Sequence, residues 1–109
     1  MTERAALGEF EHLVLATALR LEGGYGAQLV RELEERSGRR VLGGALYATL
    51  DRLERKGYVV SRTGEPDAKR GGRPKRFIEV TPEGVRALAD QRATLLRVWD
   101  GLEATLGDA

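Results

Sequence analysis

Cysteine is absent from the 109-residue sequence, which excludes disulfide bonds and thiolate metal sites. Histidine occurs once, as His12, so the usual nitrogen ligands of a zinc centre are also missing, and we expect no cofactor. No apolar run is long enough to span a bilayer, and Glu3, Arg4 and Glu9 interrupt the segment in which a secretory signal would need an apolar core. We therefore expect a cytoplasmic protein without a membrane partner.

Catalytic groupings are missing as well. The sequence shows no paired acid and base, no nucleophile beside a partner and no phosphate-binding loop, so it does not predict an enzyme. The composition, 41% hydrophobic and 32% charged, is that of a globular chain, and the length favours one domain. The net charge of +1 by itself indicates nothing about a polyanionic partner.

Positive charge is nevertheless concentrated in one segment. Between Arg62 and Arg76, six basic residues stand against two acidic ones, a net charge of +4, while the remainder of the chain carries −3. Clustered Lys and Arg bind a phosphate backbone by releasing counterions, and the glycines of this segment would let a loop lie close to that backbone. The alternative for such a segment taken alone is a solvated surface loop.

Apolar residues at spacings of three and four predict three helices in the first half of the chain. The first covers Leu7–Leu21, the second covers Gly26–Ser37 and stops at Gly38, and the third contains GGALYATLDRLERKG and closes at Gly57. A stripe of leucines lies along the third helix, at Leu46, Leu50 and Leu53. The residues expected to point away from this stripe are Ala45, Ala48, Thr49, Arg52 and Arg55.

Two β-branched and aromatic runs, Tyr58–Thr63 and Arg76–Val80, predict a hairpin joined by the basic loop. Thr81 and Pro82 then supply the N-cap and the first residue of a fourth helix. This order predicts a mainly α fold with a small β-hairpin. We expect a winged helix-turn-helix domain over residues 1–81 and a C-terminal dimerisation helix over 82–109, in one continuous compact unit. In such a fold the third helix enters a major groove and the hairpin loop, the wing, lies beside it.

The fourth helix has apolar residues alternately three and four positions apart, a coiled-coil period with one charged break at Arg92. Such a seam needs an apolar surface to cover it, either a second copy of the chain, the chain's own first helix, or both. We favour the second copy, because closed twofold dimers are the commonest oligomers. The expected dimer interface is Val85, Leu88, Leu95, Trp99, Leu102 and Leu106.

Three stretches carry a resemblance to a known family: GGYGAQLVRELEERSGRRV, GALYATLDRLERKGYVVSR and GGRPKRFIEVTPEGVRAL. They resemble the PadR family of bacterial transcriptional regulators, specifically its short members with a single C-terminal helix. The most specific element is the Leu46-Tyr47 pair, with Gly57 closing its helix. The resemblance implies a homodimeric repressor that binds a pseudo-palindromic operator. Gly43 and Ala48 depart from the pattern, because members often have Ser or Thr and Pro at these positions.

Candidate DNA contacts follow from the fold and from the resemblance. The resemblance implies that Tyr47 touches the DNA backbone, although its ring could also belong to the core. Direct base contacts are expected from Thr49 and Arg52, with the wing as a further possible source, and Arg52 could instead meet a phosphate. Arg39 and Arg40 are either backbone contacts or ordinary surface charges. The complete set of candidates is Arg39, Arg40, Tyr47, Thr49, Arg52, Lys69, Arg70, Arg73, Lys75 and Arg76.

Trp99 is the one residue that suggests a second role. It is expected to pack in the dimer interface, but regulators of this family often respond to aromatic or lipophilic small molecules, and Trp99 could stack on such an effector. The lone His12 is expected to be a partly buried helix residue.

The preferred function is a dimeric repressor of double-stranded operator DNA, relieved by an effector. The alternative is a winged-helix protein that binds DNA with little sequence preference or that interacts with another protein.

Overall fold

The computed structural model describes residues 5–64 and 74–107. These ranges form five helices and one two-stranded antiparallel sheet, which confirms the predicted mainly α fold with a small hairpin. In chain order the elements are α1 (Glu9–Leu21), α2 (Gly26–Ser37), α3 (Gly43–Arg55), β1 (Val59–Thr63), β2 (Arg76–Val80), α4 (Pro82–Trp99) and α5 (Glu103–Leu106). Strand β1 pairs with β2 in a register that places Val59 opposite Val80.

Local signals set most of these boundaries. Gly38 ends α2 with a φ of 71°, and Gly57 follows α3 with a φ of 80°, a region that side chains disfavour. Thr81 caps α4 as predicted, because its Oγ1 accepts a hydrogen bond of 3.1 Å from the Gly84 N–H. The same hydroxyl donates to the Gly57 carbonyl at 2.7 Å, so the start of α4 is tied to the end of α3.

One hydrophobic core joins the first three helices to the sheet and to the start of α4. Each of these elements contributes buried side chains, which hold α3 in a fixed orientation against the rest of the protein. The core residues without measurable exposure are Val14, Leu15, Leu29, Leu46, Leu50, Leu53 and Ile78. Gly84 lies where α4 crosses the chain just before β1, and a Cβ atom there would collide with the Tyr58 carbonyl oxygen.

The predicted seam on the fourth helix is wrong at two places. Leu88 is only 8% exposed and packs in the core of its own protomer, so its assignment to the dimer interface is wrong. The helix also ends at Trp99, because Asp100 leaves the helical region and Gly101 has a φ of 86°. Leu102 and Leu106 therefore belong to a separate short turn of helix and do not continue a straight seam.

The second half of α4 projects away from the body of the protomer. Every residue from 92 to 107 is exposed, although the preceding turns of the same helix are packed against the core. The radius of gyration is 16.0 Å, whereas a compact chain of this length would have about 13 Å. The exposed large apolar side chains of this arm are Leu95, Leu96, Val98, Trp99, Leu102 and Leu106.

A polar contact joins α1 to α4. The Nδ1 atom of His12 lies 2.7 Å from the side-chain oxygen of Gln91, whose amide nitrogen donates to the Leu7 carbonyl at 2.9 Å. The prediction that His12 is a partly buried helix residue is confirmed.

A buried carboxylate fixes the end of α3 to the start of α1. Both Glu11 oxygens lie 2.8 Å from Lys56 Nζ, and Oε1 also accepts from the Gly8 N–H at 2.7 Å. Burial alone would raise the pKa of Glu11, but the hydrogen bonds from Lys56 and Gly8 and the charges of Lys56 and Arg52 outweigh it. The pKa of Glu11 is therefore below its ordinary value.

This shift predicts that Glu11 stabilises the fold in a pH-dependent way. A lowered carboxyl pKa contributes stability above the unfolded pKa, which is lost as the pH falls through the folded pKa. We expect Glu11→Gln to lower the free energy of unfolding by about 2 kcal/mol at pH 7, and by progressively less as the pH is lowered below about 5. Urea denaturation of both proteins from pH 7 to pH 3 measures this difference. A difference that stays constant over that range would contradict the assignment.

Candidate nucleic-acid interface

The outward face of α3 is defined by the residues that it buries. Burial falls on the leucine stripe and on one further residue, Thr49, which is only 1% exposed. Thr49 Oγ1 accepts a hydrogen bond of 3.0 Å from Arg52 Nη2. The expectation that Thr49 points away from the stripe and contacts bases is wrong, because α1 and α2 cover a wider band of α3 than three leucines define.

The helical period places another set of residues opposite this buried band. All of its members are exposed: Gly44, Ala48, Asp51 and Arg55. Arg55 is thus a candidate DNA contact. The sequence pattern does not single it out from the other outward positions, although a 3.6-residue period counted from the leucines places it on this face. Arg52 lies on the flank that faces α1, with its Nε 3.7 Å from Glu11 Oε2.

Tyr47 lies against the first residue of α2. A Cβ atom at Gly26 would collide with the Tyr47 hydroxyl, so glycine is what lets the ring approach the start of this helix. The ring remains 41% exposed. The first N–H groups of a helix lack intrahelical acceptors and carry partial positive charge, which favours a phosphate. A phenolic hydroxyl and a helix N-terminus thus lie side by side at the solvent-exposed surface.

The base of the hairpin is attached to the start of α2 by stacked cations and rings. Lys75 Nζ lies 4.4 Å from the centre of the Tyr25 ring, which meets Phe77 edge-to-face at 6.0 Å. On the other side, the Arg62 guanidinium lies 4.9 Å from the Phe77 ring centre. The Ile78 N–H also donates to the Gly24 carbonyl at 2.9 Å. These contacts fix the direction in which the hairpin leaves the protein.

Arg76 turns towards α3. Its Nη1 lies 3.0 Å from Asp51 Oδ1 and its Nη2 lies 3.8 Å from Glu54 Oε2, and the side chain is 23% exposed. A third contact, 2.5 Å between Ser61 Oγ and Glu54 Oε1, links β1 to the same carboxylate. Arg76 therefore neutralises charge on the third helix and joins that helix to the hairpin.

The remaining candidates are placed as follows. Arg40 is exposed just before α3, whereas Arg39 pairs with Glu9 at 2.8 Å. The hydrogen bond from Arg39 holds the pKa of the exposed Glu9 carboxyl below its ordinary value. The candidate residues Lys69, Arg70 and Arg73 lie outside the described residues.

The contacts thus bring Tyr47, Lys75 and Arg76 together around the outward face of α3. They place Thr49 in the core and Arg52 at the border with α1. The result is a helix whose outward face is small at Gly44 and Ala48 and charged at Asp51 and Arg55, bordered by a helix N-terminus and a basic hairpin. That shape fits a duplex groove bounded by phosphates.

No group of three or more His, Cys, Asp or Glu residues within 5–64 and 74–107 could hold a metal ion. In the same part of the chain, no helix combines the length and apolar character needed to cross a bilayer.

Comparison with known proteins points to one family. The model of the transcriptional regulator PadR-like family matches residues 14–90, which is most of the chain. The chain is similar to the transcriptional regulator Rv3488 of Mycobacterium tuberculosis, with 44% identity over 71 residues. That match covers 65% of this chain and 62% of the relative's length.

Solved structures show the same fold. A PadR family transcriptional regulator from Eggerthella lenta superposes with a TM-score of 0.73 at 27% identity, over 92% of this chain and 83% of that one. A PadR-like transcription factor from Bacteroides fragilis gives a TM-score of 0.75 over 88% of both chains. Its identity of 20% supports the fold alone.

Proposed function

The chain belongs to the PadR-like family of transcriptional regulators, and on this premise we propose that it is a homodimeric repressor of a dyad-symmetric DNA operator. Members of this family regulate transcription by binding DNA and are not enzymes, in agreement with the sequence-based expectation that the chain has no catalytic function. The observation that supports the DNA-binding surface is the exposed face of α3, bordered by Tyr47 at the start of α2 and by the hairpin base.

Two kinds of DNA contact are proposed for this surface. The phosphate contacts are the Tyr47 hydroxyl with the N-terminus of α2, together with Arg40, Lys75 and the three basic residues of the wing loop. The outward face of α3 enters the major groove. Arg52 supports this arrangement from the flank and can turn towards a base or a phosphate. Arg39 and Arg76 are already in ion pairs, so we assign them to orienting α1 and α3.

The projecting half of α4 is proposed as the dimer interface. It exposes Leu95, Val98 and Trp99 on the side of the helix whose earlier turns face the core. Residues 1–81 then form the DNA-binding part and residues 82–109 the dimerisation part. A dimer of this kind sets two third helices about 34 to 36 Å apart, one turn of DNA.

A footprint of the purified protein on its own upstream region tests the operator proposal. We expect protection of two inverted half-sites whose centres are about one helical turn apart. Protection without inverted repeats would overturn the dyad arrangement. Equal affinity for that fragment and for scrambled DNA would instead support the alternative of binding with little sequence preference, which the alanines and glycines of α3 favour.

We further propose that an aromatic or lipophilic effector binds near Trp99 and releases the operator. Trp99 is the only tryptophan of the sequence and is exposed on the projecting arm, so a cavity around it would need a second protomer. A ligand that prefers a dimer with mis-spaced third helices must weaken DNA binding. A panel of aromatic compounds is titrated into the protein, and tryptophan fluorescence and operator affinity are measured. If neither quantity changes with any compound, the effector proposal has no support.

Removing the Tyr47 hydroxyl is expected to weaken all DNA binding to a similar extent. Tyr47→Phe deletes one phosphate contact in each half-site, which we expect to cost about 1 kcal/mol per half-site on operator and scrambled duplexes alike. Fluorescence anisotropy on both duplexes measures the effect, and thermal unfolding checks that the fold is intact. A loss confined to the operator would show that the hydroxyl contacts a base and not a phosphate.

A further inference from the structure

Asp51 is a polar residue at the centre of the outward face of α3. Its side chain is 56% exposed, and the preceding positions on this face are Ala48, one turn before it, and Gly44, two turns before it. Small residues at these positions let the helix backbone approach the floor of a groove. Along this face, Asp51 is then the first residue whose polar side chain could reach the base edges on the floor of the groove. Arg55 follows one turn later.

The hairpin holds the Asp51 carboxylate in place. Arg76 on β2 lies 3.0 Å from Oδ1, and the same guanidinium reaches towards Glu54 at 3.8 Å. An uncompensated carboxylate would be repelled by the phosphates that line a groove. The ion pair reduces this repulsion.

The chemistry of the major groove limits what this carboxylate can recognise. A carboxylate accepts hydrogen bonds and donates none. The donors on base edges in the major groove are the exocyclic amines of cytosine and adenine, and Asp or Glu is suited to cytosine N4. Guanine and thymine present only acceptors and a methyl group there, and would repel it.

We propose that Asp51 is a specificity-determining residue, which accepts a hydrogen bond from cytosine N4 at one position of each half-site. Arg76 is its positioning residue, which orients the carboxylate and offsets its charge. The inference rests on the proposed sequence-specific DNA binding and adds the base class and the residue that selects it.

Selection from a random duplex library tests the proposal without a known operator. The wild type, Asp51→Ala and Asp51→Asn are each used to enrich a binding motif. We expect the wild type to enrich a motif with a fixed cytosine in each half-site. Asp51→Ala is expected to lose the preference at that position by about 5- to 150-fold while keeping the rest of the motif. Asp51→Asn is expected to change the preferred base to adenine, because an amide pairs with adenine N6 and N7.

A matched control and a second variant separate recognition from structure. Glu35→Gln makes the same carboxylate-to-amide change on an exposed part of α2 and should enrich the wild-type motif. Arg76→Gln should lower affinity for every duplex, since Asp51 then faces the phosphates without its partner. It should also weaken the base preference at the one motif position that Asp51 selects. Arg76→Lys should recover part of that preference, and Asp51→Ala in the Arg76→Gln background should recover general affinity.

The outcomes distinguish the inference from the function on which it rests. A wild type that enriches no motif would refute sequence-specific binding and the inference with it. A wild-type motif that both Asp51 variants reproduce with unchanged base weights would overturn the inference alone. A loss of affinity in both variants without any change of motif would also overturn it, because Asp51 would then act only in general binding.

Discussion

Replacing Leu95 and Trp99 together by glutamate is expected to convert the protein into a monomer that no longer binds its operator tightly. Both side chains are exposed on the projecting half of α4, where two introduced carboxylates would be buried against those of the second protomer. Loss of the second DNA-binding unit removes the gain from bivalency, so operator affinity should fall about 10²- to 10⁴-fold. Light scattering at micromolar concentration gives the mass, and anisotropy on the operator gives the affinity.

A matched control uses the opposite side of the same helix. Ala93 is exposed about half a turn away from Leu95, so Ala93→Glu adds a carboxylate there without entering the proposed interface. It should leave the mass and the operator affinity as in the wild type. A double variant that remains dimeric, or a control that dissociates equally, would show that this face of α4 does not form the dimer.

Neutralising the wing is expected to change how binding responds to salt. If Arg73 and Lys75 each contact a phosphate, replacing both by glutamine removes four contacts from a dimer, and each contact contributes about 0.9 to the slope of log affinity against log salt. The slope should therefore become shallower by about 3.6 on operator and scrambled DNA alike. Between 50 and 200 mM salt the wild type would then lose about 10²-fold more affinity than the variant.

The control for this experiment removes two positive charges elsewhere. Arg86 and Arg97 lie on the side of α4 opposite Leu95, and both are exposed. Their replacement by glutamine changes the net charge by the same amount and should leave the slope almost unchanged. A wing variant with the wild-type slope would mean that the wing does not contact phosphates, and that its basic residues serve another purpose.

Local sequence signals account for the elements and their order. The glycines after α2 and α3, and the Thr81-Pro82 pair, act on the backbone within a few residues, so their effect is independent of distant packing. Helix α2 and strand β2 have the predicted boundaries, and α1 and β1 begin two and one residues later than predicted. The motifs that carry the family resemblance also lie in continuous stretches, which is why the family could be predicted from the chain alone.

The roles of side chains that border the apolar stripe of a helix depended on the tertiary structure. Thr49 and Leu88 are both buried, because neighbouring elements cover more of each helix than its own apolar period reveals. The end of α4 at Trp99 could not be predicted, because the apolar pattern continues past it. Periodicity shows which residues are apolar and does not show where the backbone turns.

The sequence by itself determined the helices, the hairpin, the family and the clustering of positive charge near the wing. Among the described residues, only the tertiary structure decided which basic side chains face solvent and which are already paired. Arg76 is held by Asp51 across 25 positions of sequence, and Arg39 by Glu9 across 30. Ion pairs of this kind form when packing brings two surfaces within about 4 Å, so they follow from how α1, α3 and the hairpin meet. No pattern within one element contains that information.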